Sequence, residues 1–359
     1  MWHCLLQDDG GAELFGSFDL FWNVYLNLWF LGFFIGLWKA RWLTDTRGRK
    51  SAFVCGCMLN VLGSGMRFFS ICPHPIPSLF LLSRLVNAIA TGTTYQALIL
   101  YLQEAPPSAC RGAISVLNGF TYSFVSLLGI TLGNRSLLGS HLPILSAIPV
   151  IVCFILFVAI FFIPETPKYL VLKGRSEEAK RSVLFFHGKT VSPDFTVKAL
   201  EVEASSCQNV KIPLIDFIRK KHLRVALVLS VIALQQTVSL WPILMSSSFL
   251  LKEIGVSEEL AEWASSVMAL SYAFGTLTSA FIIDKAGRRP LLLTSTIFNI
   301  LALIVYSILA MFSKSVLAFK YACLFCFVVY GFTYGSGVGP IGRFISTELT
   351  RIEMTSSNA

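Results

Sequence analysis

The feature that most constrains this chain is a series of long uncharged runs. Six stretches, 112–134, 143–163, 225–251, 264–283, 290–313 and 321–342, contain no Asp, Glu, Lys or Arg. Three more, 20–38, 51–72 and 78–103, are shorter or carry a single cation, Arg67 or Arg84. A bilayer core of about 30 Å, crossed at about 1.5 Å per helical residue, takes about 20 residues. Charged residues make up 14% of the chain, against about a quarter in a soluble domain. In lipid the backbone must satisfy its own hydrogen bonds, and these runs exceed the roughly ten residues of a barrel strand. The expected fold is therefore an all-α polytopic membrane protein with nine transmembrane helices.

The formal charge of +9 follows from topology. With the 45–50 connection placed in the cytoplasm, alternation of the spans puts 20 of the 29 Lys and Arg residues on that side. This is the asymmetry that the positive-inside rule describes. It leaves the N-terminus outside and the C-terminus in the cytoplasm, in a multi-pass protein expected in the plasma membrane. The partner implied is the lipid bilayer, and no nucleic acid is needed to explain the basicity. Most of the nine cysteines fall inside spans, where small apolar packing is expected rather than disulfides. No metal or other cofactor is expected, and no nucleotide-binding loop or catalytic constellation is visible, so an enzyme is not expected. No Asp, Glu or His lies well inside a span, which favours uniport over proton coupling. Asn134-Arg-Ser136 forms a glycosylation sequon in a short outside connection.

An internal repeat organises the chain. Asp45-Thr-Arg-Gly48-Arg49-Lys50 follows the first run, and Asp284-Lys-Ala-Gly287-Arg288-Arg289 follows the seventh, 239 residues later. The same charged loop at the same end of equivalent helices implies two parallel six-helix halves. If each loop follows the second helix of its half, one helix is expected before Leu20 and two more after the last run. The organisation expected is an outside segment 1–19, a five-helix bundle 20–163, a cytoplasmic linker 164–224, a four-helix bundle 225–349 and a cytoplasmic tail 350–359. Within the linker, a helix over 176–186 is expected, with Ser176 as its cap and Glu177 and Glu178 in the first turn.

Five signatures, in order and at helix ends, carry a resemblance. They are Asp45 to Lys50; Arg84 with Tyr101-x-x-Glu104-x-x-Pro107-x-x-x-Arg111-Gly112; Pro164-Glu165-Thr166-Pro167-Lys168-Tyr169-Leu170; Gln235-Gln236; and the second charged loop with Gly339-Pro340-x-x-x-Phe344-x-x-x-Glu348-Leu349. Along most of its length the chain resembles the sugar transporters of the major facilitator superfamily. The resemblance implies two pseudo-symmetric helical bundles and alternating access for a small polar organic solute of hexose or polyol type. A rival from another class is a non-transporting membrane scaffold or sensor, or an inactive product.

Acids and bases on separate helices converge at one membrane face, where partial desolvation strengthens their pairing. The first half supplies Asp45, Arg49, Glu104, Arg111 and Glu165, and the second supplies Asp284, Arg288 and Glu348. The resemblance implies that they latch an inner gate; the plainer alternative is positive-inside charge with no switching role. For the solute, Gln235 and Gln236 match the family's sugar-bonding glutamines, and their amides suit a polyol. Interhelical hydrogen bonding is their other reading. The family pattern is departed from elsewhere: Asn118 lies beside Gly119 where a glutamine belongs, and Trp241 and Tyr272 stand where asparagines belong. Arg343 stands in place of a tryptophan, either snorkelling towards Glu348 or meeting an anionic solute.

Overall fold

The structure is a computed structural model that describes residues 18–72, 76–107, 111–188, 192–208, 224–225, 227–228, 231, 240–313 and 317–342. Among them every regular element is helical. In chain order these are α1 (Phe18–Thr46), α2 (Arg49–Phe69), α3 (Pro77–Glu104), α4 (Arg111–Leu132), α5 (Leu142–Ala159), α6 (Pro167–Leu172), α7 (Ser176–His187), α8 (Pro193–Gln208), α9 (Leu240–Glu253), α10 (Glu258–Ala286), α11 (Arg288–Phe312) and α12 (Leu317–Thr333). Short π-helical segments, Arg135–Gly139 and Tyr334–Val338, follow α4 and α12, and a 3-10 turn, Ile160–Phe162, follows α5.

Seven of the described helices are long and apolar enough to cross a bilayer, in α1, α2, α3, α5, α10, α11 and α12, and α4 contributes the shorter apolar stretch Leu117–Leu132. Of the run at 225–251, α9 and a few residues before it lie among the described residues. Several helices run further than the uncharged runs, α1 and α10 the furthest. α1 continues through Lys39 and Arg41 to Thr46, and α10 begins at Glu258. Both cations of α1 are exposed, so their charges stay accessible while the backbone ladder continues.

The chain forms two compact units, Met1–Arg111 with His141–Val210, and Gly112–Ser140 with Lys211–Ala359. In the first, α3 is central: α1 and α2 both pack along it, and α5 packs on α2. α1 and α3 meet backbone to backbone at Gly36 and Gly92. A Cβ on Gly36 would run into the Ile89 carbonyl, and one on Gly92 into the Phe33 carbonyl. Between helices in lipid no water is squeezed out, so this close approach supplies the attraction that apolar burial cannot. The outer side of α5 buries almost nothing: Ile151, Phe154 and Ile155 are exposed, as suits side chains solvated by hydrocarbon.

α6, α7 and α8 form a small apolar cluster of their own, Leu170, Val171, Ala179, Val183 and Val197. α7 matches the helix expected at 176–186, with Glu177 and Glu178 in its first turn. Ser176 does not cap it. The N-cap position is Arg175, and the Ser176 hydroxyl donates instead to Glu201 of α8 at 3.2 Å, because tertiary packing offers it a carboxylate.

In the second unit α12 packs on α10 and α11. Its core holds Leu240, Leu251, Met268, Tyr272, Phe327, Tyr330 and Tyr334. Here Gly275 of α10 meets Gly335, 239 residues after Gly36 and one turn beyond the position that would match Gly92. α4 joins this unit through the Ser123 and Thr276 hydroxyls, 2.8 Å apart. The sequon asparagine is committed elsewhere: Asn134 is 4% exposed, and its amide donates to the Ser266 hydroxyl at 3.2 Å. Cys55, Cys57, Cys72, Cys153, Cys323 and Cys326 are unpaired.

The crossings carry a prediction. Gly36→Ala should lower the stability of the purified chain by roughly 1–3 kcal/mol, the usual penalty of overpacking. Gly65→Ala, whose new methyl meets nothing within 4 Å, should be neutral or stabilising by up to about 1 kcal/mol. Thermal unfolding in detergent distinguishes the two, and equal effects would remove the backbone contact from the account of the fold.

Candidate functional site

One turn of chain organises the charged face of the first unit. α1 ends at Thr46, and the chain reverses through Gly48 at φ 104° before α2 starts at Arg49. A side chain would be strained at that φ. It would also strike the Glu165 carboxylate. Arg49 therefore leaves the first turn of α2 aimed at the end of α3. Its Nε and Nη2 both donate to the Glu104 carboxylate at 2.8 Å, a two-bond fork, and its Nη1 donates to the Thr44 carbonyl at 3.1 Å. The two side chains are only 10% and 11% exposed.

The segment after α5 closes over this pair. Thr166 donates its hydroxyl to Glu104 at 3.0 Å, and the Tyr169 ring lies 5.1 Å beneath the Arg49 guanidinium. The Tyr169 hydroxyl in turn donates to the Thr46 carbonyl at 3.0 Å. Glu165 faces the turn from the other side, accepting the Lys50 N–H at 3.0 Å and the Thr166 N–H at 2.9 Å. Ser182 of α7 donates to the Glu165 carbonyl at 2.6 Å, and Tyr101 of α3 donates to the Pro164 carbonyl. Helices α2, α3 and α7 are thus tied to one loop by directional bonds.

The electrostatics follow from the burial. Burial pushes the Glu165 carboxyl above its ordinary range, and the N–H groups of Thr166 and Lys50 and the charge of Arg49 offset this only in part. Burial also raises the Tyr169 phenol, with Glu165 adding to it. Chemically the arrangement is a pair of opposite charges held nearly dry, with Thr166 and Tyr169 laid over it.

The expected first-half set is partly assembled. Arg49, Glu104 and Glu165 meet through the contacts above. Asp45 is exposed and makes no ion pair among the described residues. The Arg111 side chain lies outside the described residues. In the second half the same turn recurs: Gly287 has φ 81° between α10 and α11. The side chains of Asp284 and Arg288 and the whole of Arg343 and Glu348 lie outside the described residues, as do Gln235 and Gln236. Three solute candidates are described, all in the second unit. Trp241 is 38% exposed and edge-on to Tyr122 of α4 at 5.9 Å, and Asn118, one turn before Tyr122, is half-buried. Tyr272 is 1% exposed and packs edge-on against Tyr334 at 5.6 Å, which leaves its ring no open face. Thr44, Thr166, Tyr169 and Ser182 were not singled out from sequence. Thr166 and Tyr169 stand within the Pro164 to Leu170 signature, which is the signal that marks them.

Two predictions test the geometry. Arg49→Ala leaves the buried Glu104 without its counter-charge and should cost roughly 3–5 kcal/mol, whereas Arg49→Met with Glu104→Leu should cost far less. Thermal unfolding of both variants decides, and equal losses would mean the fork is not the issue. Glu165 binds its proton more tightly folded than unfolded, so the stability it contributes is present below its unfolded pKa and is lost as pH rises through the raised folded value. Glu165→Gln should show a flatter fall in thermal stability between acid and neutral pH. Superimposable profiles would show that this carboxyl does not titrate as described.

Comparison with known proteins bears on the family and the fold. The family model described as "Sugar (and other) transporter" matches residues 8–356. The chain is 30% identical over 284 residues to probable inositol transporter 2 of Arabidopsis thaliana, covering 76% of this chain and 48% of that protein. It is 24% identical over 337 residues to the facilitated glucose transporter member 2 of solute carrier family 2 from Gallus gallus, covering 92% and 62%. The chain thus spans between about half and two thirds of the length of these relatives. In fold it is similar to the proton:xylose symporter XylE, a major facilitator superfamily protein, with a TM-score of 0.72 at 16% identity over 92% of this chain and 79% of that one. The chain is a multi-pass integral membrane protein of the major facilitator fold, and it belongs to the sugar transporter family.

Proposed function

We propose that this chain serves facilitated passage of a small polar organic solute, a hexose or a polyol, by alternating access. The observation that carries the proposal is the nearly dry Arg49–Glu104 fork, closed over by the segment from Pro164 to Tyr169. A buried ion pair gives a fold little net stability, because desolvating two charges offsets most of their attraction. It does suit a contact that must separate. On this reading the face bearing Arg49, Glu104 and Glu165 is the cytoplasmic gate, with Asp45 and Arg111 at its edge, and Asp284, Arg288 and Glu348 form its counterpart. The two halves of the repeat, proposed as 20–163 and 225–349, alternate in giving the solute access, although α4 packs with the second unit; 164–224 lies in the cytoplasm and the whole in the plasma membrane. Gln235 and Gln236 bond solute hydroxyls, with Asn118 and Trp241 beside them; Arg343 pairs with a gate acid.

The family membership supports the transport class. The sugars and inositol named for the relatives point to polyhydroxylated solutes. The purified chain in liposomes should take up at least one labelled hexose or polyol above protein-free liposomes. Gln235→Ala should lower that uptake about tenfold, as expected for one lost hydrogen bond of about 1.4 kcal/mol. A flat panel of sugars and polyols would sink the proposal, and an unchanged Gln235→Ala variant would remove that residue from the site.

A further inference from the structure

A groove of about 920 Å³ opens beside the gate, between the α1–α2 turn, the end of α5 and helices α6 and α7. Five cations line it, Arg47, Lys50, Lys173, Arg175 and Arg181, against two acids, Glu165 and Glu178. Neither acid is open to the groove's other cations. Glu178 is held by Arg175 in a fork of 2.6 and 2.8 Å, and Glu165 is turned onto backbone N–H groups. Arg47, Lys173 and Arg181 are exposed, and none has a carboxylate partner among the described residues. A concentration of uncompensated cations this dense is a receptor for a multiply charged anion.

The rim states which kind of anion. Phe161, Phe162 and Phe185 stand exposed along one side, Phe162 at 79%. Phe161 and Phe162 end the apolar span Leu142–Phe162, whose outer face exposes Ile151, Phe154 and Ile155. An inorganic anion gains nothing from aromatic rings at its entrance. A lipid does, because its chains lie against them while its headgroup enters the cationic floor. We propose that this groove binds the phosphate-bearing headgroup of an anionic phospholipid from the leaflet at this face. With the face in the cytoplasm, as proposed above, this is the leaflet in which such lipids are enriched.

The test uses the full chain in detergent and needs no transport, so it stands apart from the uptake assay. Water-soluble short-chain forms of a polyphosphorylated phosphatidylinositol, of phosphatidylserine and of phosphatidylcholine are titrated against it, with inorganic phosphate and the free inositol phosphate as further probes. The anionic lipids should bind saturably and the choline lipid at least about tenfold more weakly. Lys173→Gln with Arg181→Gln should weaken anionic-lipid binding roughly 25-fold, about fivefold for each cation removed. Phe162→Ser should weaken the lipid and leave the free headgroup unchanged. If the double variant does not fold, the wild-type chain still decides, since binding through these cations must weaken as ionic strength rises. Equal binding of the choline lipid, wild-type affinity in a folded double variant, or salt-independent binding would overturn the proposal. So would free headgroup or phosphate binding as tightly as the lipid, which would make the groove a soluble-anion site.

Discussion

The first unit's charged face depends on one backbone torsion. At φ 104° Gly48 reverses the chain between α1 and α2 while leaving room for the Glu165 carboxylate beside its Cα. Because the turn is that tight, Arg49 falls in the first turn of α2 and its fork reaches Glu104 fifty-five residues away on α3. Thr166 and Tyr169 then find their places relative to Arg49 and Glu104 rather than to each other. An L side chain at position 48 would both occupy a strained φ and displace Glu165, so the residues downstream have no alternative arrangement that keeps the same contacts.

The second unit repeats this logic at a fixed offset. Gly287 turns the chain at φ 81°, as Gly48 does 239 residues earlier, and Gly275 sits at a backbone crossing as Gly36 does. The halves are not copies. Gly335, the partner of Gly275, lies one turn beyond the residue equivalent to Gly92, within the π-helical segment Tyr334–Val338. A π segment rotates the residues on either side of it relative to an uninterrupted helix, and such segments gather at functional positions. Here it leaves Gly335 against the Tyr272 backbone and Gly337 against Ser295, so that α10 and α11 both approach the same five residues.

How much of this could be read from residues alone differs by feature. The apolar runs and the repeated charged loop are written in period and spacing, and they led to the helices and to the family. Helix ends were harder. Lys39 and Arg41 looked like an end because they are charged, yet a helix can carry cations past the bilayer edge while its hydrogen bonds continue. α6 and α8 escaped notice because helices in a polar segment take their stability from tertiary packing, here the cluster around Val171, Val183 and Val197. Asn134 read as a surface sequon, and only the approach of α10 shows its amide already bonded to Ser266. At the site, Arg49 and Glu104 were visible as opposite charges at helix ends. That Thr166 and Tyr169 cover them required three elements to be placed in space, which no spacing rule encodes.

Two kinds of contact divide the work in this molecule. The glycine crossings lie inside the spans, where no water can replace a lost contact and where closeness of backbones supplies the attraction. They hold helices in fixed relation and respond to neither pH nor salt. The charged contacts sit at helix ends, where a separated Arg49 and Glu104 could each be hydrated. Separating them in hydrocarbon would leave two unsolvated ions at a cost of several kcal/mol each, and at the water boundary that penalty largely disappears. Glycines at mid-span and an ion pair at the helix ends thus put the backbone contacts in the apolar stretches and the charged contact where those stretches stop.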